Sequence, residues 1–115
     1  VVVSNENKVV TVDIVGGVIE AISDYAVGVE VCACIRPEDI TLSLSKISSS
    51  ARNTFIGEVT RVVVMGPLTR VEINCGFPLT ALVTQRLAEA LGLDKEKRVC
   101  VTFKATGVHV INRNG

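Results

Sequence analysis

Two stretches of this chain repeat one another at an offset of 68 residues, and that repeat constrains the fold more than any other feature. Val31-Cys32-Ala33-Cys34-Ile35-Arg36 lies over Val99-Cys100-Val101-Thr102-Phe103-Lys104, and Ile40-Thr41-Leu42 lies over Val108-His109-Val110. Each copy reads as a strand ending in a base, a three-residue turn and a second apolar strand. Residues 16–22 likewise parallel residues 76–82, with Gly16 over Gly76 and Ala21 over Ala81. Within 115 residues, such self-similarity implies two related β units packed as a pair.

The strand reading rests on alternation and on side-chain type. Of the chain, 48% is hydrophobic and only 21% charged, and Val and Ile dominate the apolar set, the β-branched bias of half-buried strands. Val9–Ile14 alternates with Thr11 and Asp13 polar, and Gly16-Gly17 turns it into a second strand. Residues 29–36 form a third, with Val29, Val31, Ala33 and Ile35 on one face, and Pro37-Glu38-Asp39 leads to a fourth at residues 40–44. Residues 54–65 form a long strand with a bulge or bend expected at Gly57, followed by strands at 68–75, 79–83, 98–104 and Val108–Asn112. The one helix is short. Thr84 is its N-cap, Leu87, Ala90 and Leu91 share a face, and Gly92 fits the left-handed position past its end. The expected fold is all-β, small Greek-key barrel units of the oligonucleotide/oligosaccharide-binding kind in tandem, with one short helix. The Ser-rich stretch 46–50 marks the boundary, so that residues 1–45 form a first unit and 46–115 a second. The first unit looks incomplete at its N-terminus. A strand there is expected from preceding chain, from Val1-Val2-Val3, or from a partner. Because Val1 stands inside a strand-like run, the chain reads as a fragment of a longer protein whose other part holds any catalysis.

Several function classes are disfavoured. Basic and acidic residues balance at 12 each, and with one Tyr and three Phe the chain lacks both the field and the stacking aromatics of a nucleic-acid binder. Apolar runs such as residues 62–65 are far below the roughly 18 residues that span a bilayer, so neither membrane insertion nor a signal peptide is expected. No Walker loop, catalytic triad or metal-ligand spacing is readable, which predicts no enzyme, no metal and no cofactor in this segment. His109, the only histidine, reads as a packed or surface residue. Cys32, Cys34, Cys75 and Cys100 read as reduced, buried thiols of a cytosolic protein.

What remains is a set of hydroxyls and bases at strand and helix ends: Ser50, Arg52 and Asn53 before one strand, Thr84 at the helix start, and Lys104-Ala105-Thr106 after another. A small tetrahedral oxyanion needs such a shell of hydroxyl, backbone N–H and cationic donors. The order S-A-R-N-x-F-x-G, G-F-P-L-T-A-L-V-T, L-G-L and F-K-A-T-x-V-H-V from Ser50 to Ile111 resembles the molybdate/tungstate-binding, or MOP-like, domain. Upstream, Ile35-Arg36-Pro37-Glu38-Asp39-Ile40 resembles the I-R-P-E-D-I signature of the TOBE region at the C-terminus of ABC-transporter ATPase subunits.

The resemblance implies a cytoplasmic regulatory domain, at the inner face of the cell membrane, following an ATPase domain in an importer of molybdate or tungstate. It implies a homodimer, contact with the ATPase domain and indirectly with a permease, and an anion held between neighbouring units, usually across a dimer interface. Carried over by motif, Ser50, Ala51 and Arg52 with Lys104, Ala105 and Thr106 would line the anion, Thr84 would come from the adjoining unit or subunit, and Asn53 would hold the loop. The chain departs from the pattern at Leu87, where anion-binding members often carry a second hydroxyl, and at Thr106-Gly107, where many carry Ser-Ser. Those departures keep open a domain that dimerises and positions ATPase subunits without a ligand. The I-R-P-E-D-I signature also permits a sugar-transporter tail that docks a regulatory protein.

Overall fold

In the computed structural model, which describes residues 1–44 and 53–113, β1 (Val2–Glu6), β2 (Val9–Ile14) and β3 (Gly17–Ile22) form an antiparallel meander. The alternation has the expected effect, with Val10 and Val12 fully out of solvent and Asp13 turned outward. Asn7 and Lys8 adopt φ of 52° and 69°, the positive pair that a two-residue hairpin turn requires to match the strand twist. Then come β4 (Val31–Ile35), a 3-10 turn at Pro37–Asp39 and β5 (Thr41–Ser43). The second half holds β6 (Asn53–Met65), β7 (Leu68–Asn74), β8 (Pro78–Thr84), α1 (Gln85–Leu91), β9 (Arg98–Phe103), a second 3-10 turn at Ala105–Gly107 and β10 (Val108–Asn112). Strand makes up 60% of the structure, and α1 is the one α-helix among the described residues.

All ladders are antiparallel, and the second half is built on the five-stranded order β5-β9-β6-β7-β8. The halves are interleaved, since β4 pairs with β10 while β5 pairs with β9. The repeat explains the exchange. β4 corresponds to β9 and β5 to β10, so each pairing is the image of the other, as an internal two-fold demands. Three independent features obey the same operation. Ladder shifts fall between Val2 and Ser4 in β1 and between Val59 and Arg61 in β6, at matching positions. The Val2 N–H donates to Val29 O at 3.0 Å and Gly28 N–H donates to Val2 O at 2.8 Å, while Val59 N–H donates to Lys97 O at 2.8 Å and Glu96 N–H donates to Val59 O at 2.7 Å. The first 3-10 turn packs on β8, and the second packs on β3.

Gly16 and Gly76, equivalent in the repeat, meet each other at the surface. A Cβ on Gly16 would lie 1.8 Å from Gly76 O, and one on Gly76 would lie 2.7 Å from Gly16 O, so neither position has room for a side chain. A single core draws Val10, Val12 and Ile19 from one half and Val59, Val71, Ile73 and Val101 from the other. Phe55 stands edge-on to Phe77 at 5.1 Å and stacks on Phe103 at 5.9 Å, so all three phenylalanines join one cluster.

Two local expectations are corrected. The irregularity in β6 is at Thr60, not Gly57. Gly57 is demanded instead by packing, since a Cβ there would come within 2.6 Å of Ile73 Cγ2. In α1 the buried residue is Ala88, and Ala90 faces solvent, because the helix leans on β7 and β8 through its Leu87–Ala88–Leu91 side.

Candidate functional site

Ser50, Ala51 and Arg52 lie outside the described residues, as does the boundary expected at residues 46–50. Asn53 opens β6 directly after Arg52 and stands opposite Phe103 of β9. Lys104 is the next residue after Phe103. Strand register therefore sets Asn53, the first residue of β6, beside the exit from β9 into the K-A-T block. Lys104 is exposed with extended backbone (φ −80°, ψ 146°), Ala105 is buried and Thr106 is exposed. The second 3-10 turn ties itself off, with Gly107 N–H donating to Lys104 O at 3.0 Å and Val108 N–H donating to Ala105 O.

The Asn53 side chain, 3% exposed, is a clamp between halves. Its Oδ1 accepts the Glu20 N–H at 2.7 Å and its Nδ2 donates to Glu20 O at 2.8 Å, so one carboxamide stands in for a strand at the edge of β3. Glu20 as the partner was not legible beforehand, because its main chain and not its side chain is used.

Thr84 is placed elsewhere. It ends β8 opposite Leu68, and Leu68 faces Met65 at the far end of β6 from Asn53. Thirteen residues of strand, about 40 Å at roughly 3.3 Å per residue, run between those ends. Within one chain the structure does not bring Thr84 to Lys104. The Thr84 Oγ1 accepts the Leu87 N–H at 3.1 Å as the N-cap of α1, and Gly92 closes the helix in the left-handed region (φ 62°, ψ 39°). Capping uses one lone pair of the hydroxyl and leaves its O–H as a donor.

The electrostatics around the K-A-T turn are mixed. Lys104 makes no ion pair among the described residues. A Cβ on Gly107 would lie 3.9 Å from Asp39 Oδ2, so a carboxylate stands beside the far end of the turn. Grooves lie around Gly57, Asn74 and Arg98 and around Glu72, Phe77 and Thr80, neither lined by Lys104 or Thr84.

The remaining reactive groups are dispersed. His109 is exposed in β10 opposite Cys34, and no cluster of three metal-ligating groups occurs among the described residues. All four cysteines are free thiols, but burial holds fully only for Cys100. Cys32 and Cys34 are exposed because they occupy the outer face of β4, which nothing among the described residues covers. Burial pushes the Cys75 thiol above its ordinary pKa, and its Sγ donates to Phe77 O at 3.5 Å. No described helix is long and apolar enough to cross a membrane.

Comparison with known proteins bears on the family and the fold. The chain is 39% identical over 77 residues to the molybdate/tungstate import ATP-binding protein WtpC of Pyrococcus abyssi, covering 66% of this chain and 22% of that protein. It is 36% identical over 77 residues to WtpC of Pyrococcus horikoshii, with the same coverage. The chain thus spans about a fifth of the length of these relatives. The fold is that of the cytoplasmic molybdate-binding protein ModG, seen in a crystal structure with molybdate bound, at a TM-score of 0.84 and 24% identity over 95% of this chain and 89% of that one. The TOBE-domain profile matches residues 49–110, more than half of the chain, and this protein belongs to the TOBE-domain family.

Proposed function

We propose that this domain is the cytoplasmic regulatory part of the ATP-binding subunit of a molybdate or tungstate importer, and that it senses the imported oxyanion between two copies of itself. In this reading Ser50 and Arg52 donate to the anion, Lys104 supplies charge, and Ala105 and Thr106 line it from the same chain. Thr84 reaches it from the second subunit of a homodimer. Residues 1–45 and 46–115 act as the two related units. The observation that carries the reading is the Asn53–Phe103 pairing, which supports a shared site for Arg52 and Lys104. Two cations and a hydroxyl suit a dianion, since charge-assisted hydrogen bonds are roughly twice as strong as neutral ones. The position of Thr84 at the other end of β6 supports a site shared between subunits.

Sensing follows if the anion prefers one arrangement of the paired ATPase domains, for then its binding shifts the transporter, permease included, towards that state. Calorimetry with molybdate, tungstate and sulfate tests this directly. Binding of molybdate or tungstate is expected, weakened tenfold or more by Arg52→Ala or Lys104→Ala. No heat with any of the three at millimolar concentration overturns it.

The Asp39 carboxylate beside Gly107 favours a second reading, a domain that dimerises and positions ATPase subunits with no ligand. A solution dimer indifferent to every anion, and to both substitutions, would select it.

A further inference from the structure

The internal two-fold leaves one strand without a counterpart. The first half of β6, residues 53–58, pairs with β9 and joins it to β7 and β8, making the five-stranded order β5-β9-β6-β7-β8. On the other side of the two-fold, β10-β4 and β1-β2-β3 are two separate sheets. They fall into the same order if a strand continuous with β1 lies along β4. Val1-Val2-Val3 do not fill that place, because Val2 already pairs with Val12.

We propose that the outer edge of β4 receives an extended segment of five residues running into Val1, which closes a second five-stranded sheet. The geometry of entry is set. Val59 exchanges hydrogen bonds with Lys97 and Glu96, Glu58 then faces Arg98, and residues 53–57 continue along residues 99–103. Val2 makes the same exchange with Val29 and Gly28, with Gly28 at φ 94° where Glu96 has φ 73°, so Val1 stands level with Glu30. A segment ending at Val1 comes level with residues 31–35.

Burial carries the same message. Residues 99–103 are all buried, whereas of residues 31–35 only Val31 is buried, Ala33 and Ile35 are half-buried, and Cys32 and Cys34 are exposed. The hydrogen bonds agree too. Arg113 N–H donates to Glu30 O, so by the two-residue period Cys32 and Cys34 turn their main chains to β10, and Val31, Ala33 and Ile35 turn theirs outward. Among the described residues no strand pairs with this row, and a row of this kind is a template for strand addition. The chemistry of the occupant follows from Asn53. Its counterpart is the residue opposite Ile35, and the counterpart of Glu20 is Thr80, so an amide side chain there would clamp the main chain of β8 as Asn53 clamps β3.

The test is to place Asn-Thr-Phe-Ile-Gly, the sequence of residues 53–57, directly before Val1 and to follow amide hydrogen exchange by NMR. The amides of Val31, Ala33 and Ile35 should slow at least tenfold, while those of Cys32 and Cys34, which face β10, stay unchanged. A control carries proline at the third and fifth positions of the extension, two of the three whose N–H groups would face β4, and should exchange like the unextended chain. Equal exchange with and without the extension overturns the proposal, and so does equal protection by the proline control. Slow exchange of those three amides in the unextended chain also overturns it, showing that a second copy (if concentration-dependent) or another part of this chain already holds the edge.

Discussion

Replacing Asn53 by Ala tests the joint on which the candidate site is built. The substitution removes a carboxamide that is 3% exposed and two hydrogen bonds, of 2.7 and 2.8 Å, to the main chain of Glu20. Each main-chain group deprived of its partner in a buried setting costs about 1–3 kcal/mol, and Glu20 is only half-buried, so water recovers part of the loss. The expected destabilisation is about 2–4 kcal/mol, a Tm lower by roughly 8–15 °C for a domain of this size. Urea unfolding should show a lower midpoint at unchanged slope. Asn53→Asp sharpens the test. The ionised acid still accepts from Glu20 N–H but sets its second oxygen against Glu20 O, which raises its pKa in the folded state. The protonated acid can donate there, so the stability it restores is present below about pH 4, the unfolded value, and is lost as pH rises through the folded one. A loss below about 0.5 kcal/mol for Asn53→Ala, the level of an ordinary surface change, would refute the clamp.

The other expectations follow from single contacts. Gly16→Ala should cost at least about 2 kcal/mol more than Gly66→Ala in chemical denaturation, because both positions have positive φ but only Gly16 abuts another main chain. Thr84→Ala should cost about 1 kcal/mol and speed amide exchange at the start of α1, and under the proposed function it should also weaken molybdate binding by about tenfold. A maleimide should label Cys32 and Cys34 promptly and Cys100 only on unfolding. Cys75 should react in native protein only at a pH above that required by an ordinary thiol, since burial disfavours its thiolate.

Much of this fold was legible because period-two alternation and turn chemistry are local. Val9–Ile14 and Val108–Asn112 could be bounded by eye, and Thr84 and Gly92 marked both ends of α1. The two-fold was visible as the overlay of residues 31–36 on 99–104. What could not be read is which surfaces the operation presses together. Gly16 and Gly76 align in sequence, yet their contact follows only from placing both turns on one axis. Gly57 looked like a bulge because a glycine in a strand signals either irregularity or crowding, and only Ile73 decides between them. The site divides in the same way. Asn53, Lys104 and Thr84 were singled out as candidates from residue type and motif, but that the first two share an end and the third does not is a property of register.

The symmetry of the fold and the asymmetry of its charges together make a prediction about stoichiometry. Each half offers a 3-10 turn at the same place, entered from a base in extended backbone, Lys104 in one half and Arg36 in the other. On geometry alone, two anions per chain would be expected. The turn after Lys104 is Ala-Thr-Gly, and the turn after Arg36 is Pro-Glu-Asp. Pro37 removes a main-chain donor where Ala105 has one, and Glu38 and Asp39 place two exposed carboxylates in the turn, whereas the turn after Lys104 carries none of its own and has Asp39 beside its Gly107 end. One like charge at about 4 Å costs on the order of 1–4 kcal/mol between bulk water and a protein surface, more against a dianion, or at least a factor of about ten in affinity. If the proposed function is right, titration should therefore reach one oxyanion per chain, and Lys104→Ala should abolish that single event without uncovering a second. Two equivalent sites per chain would show that charge at these turns does not govern binding, and would move the search for the site away from Lys104.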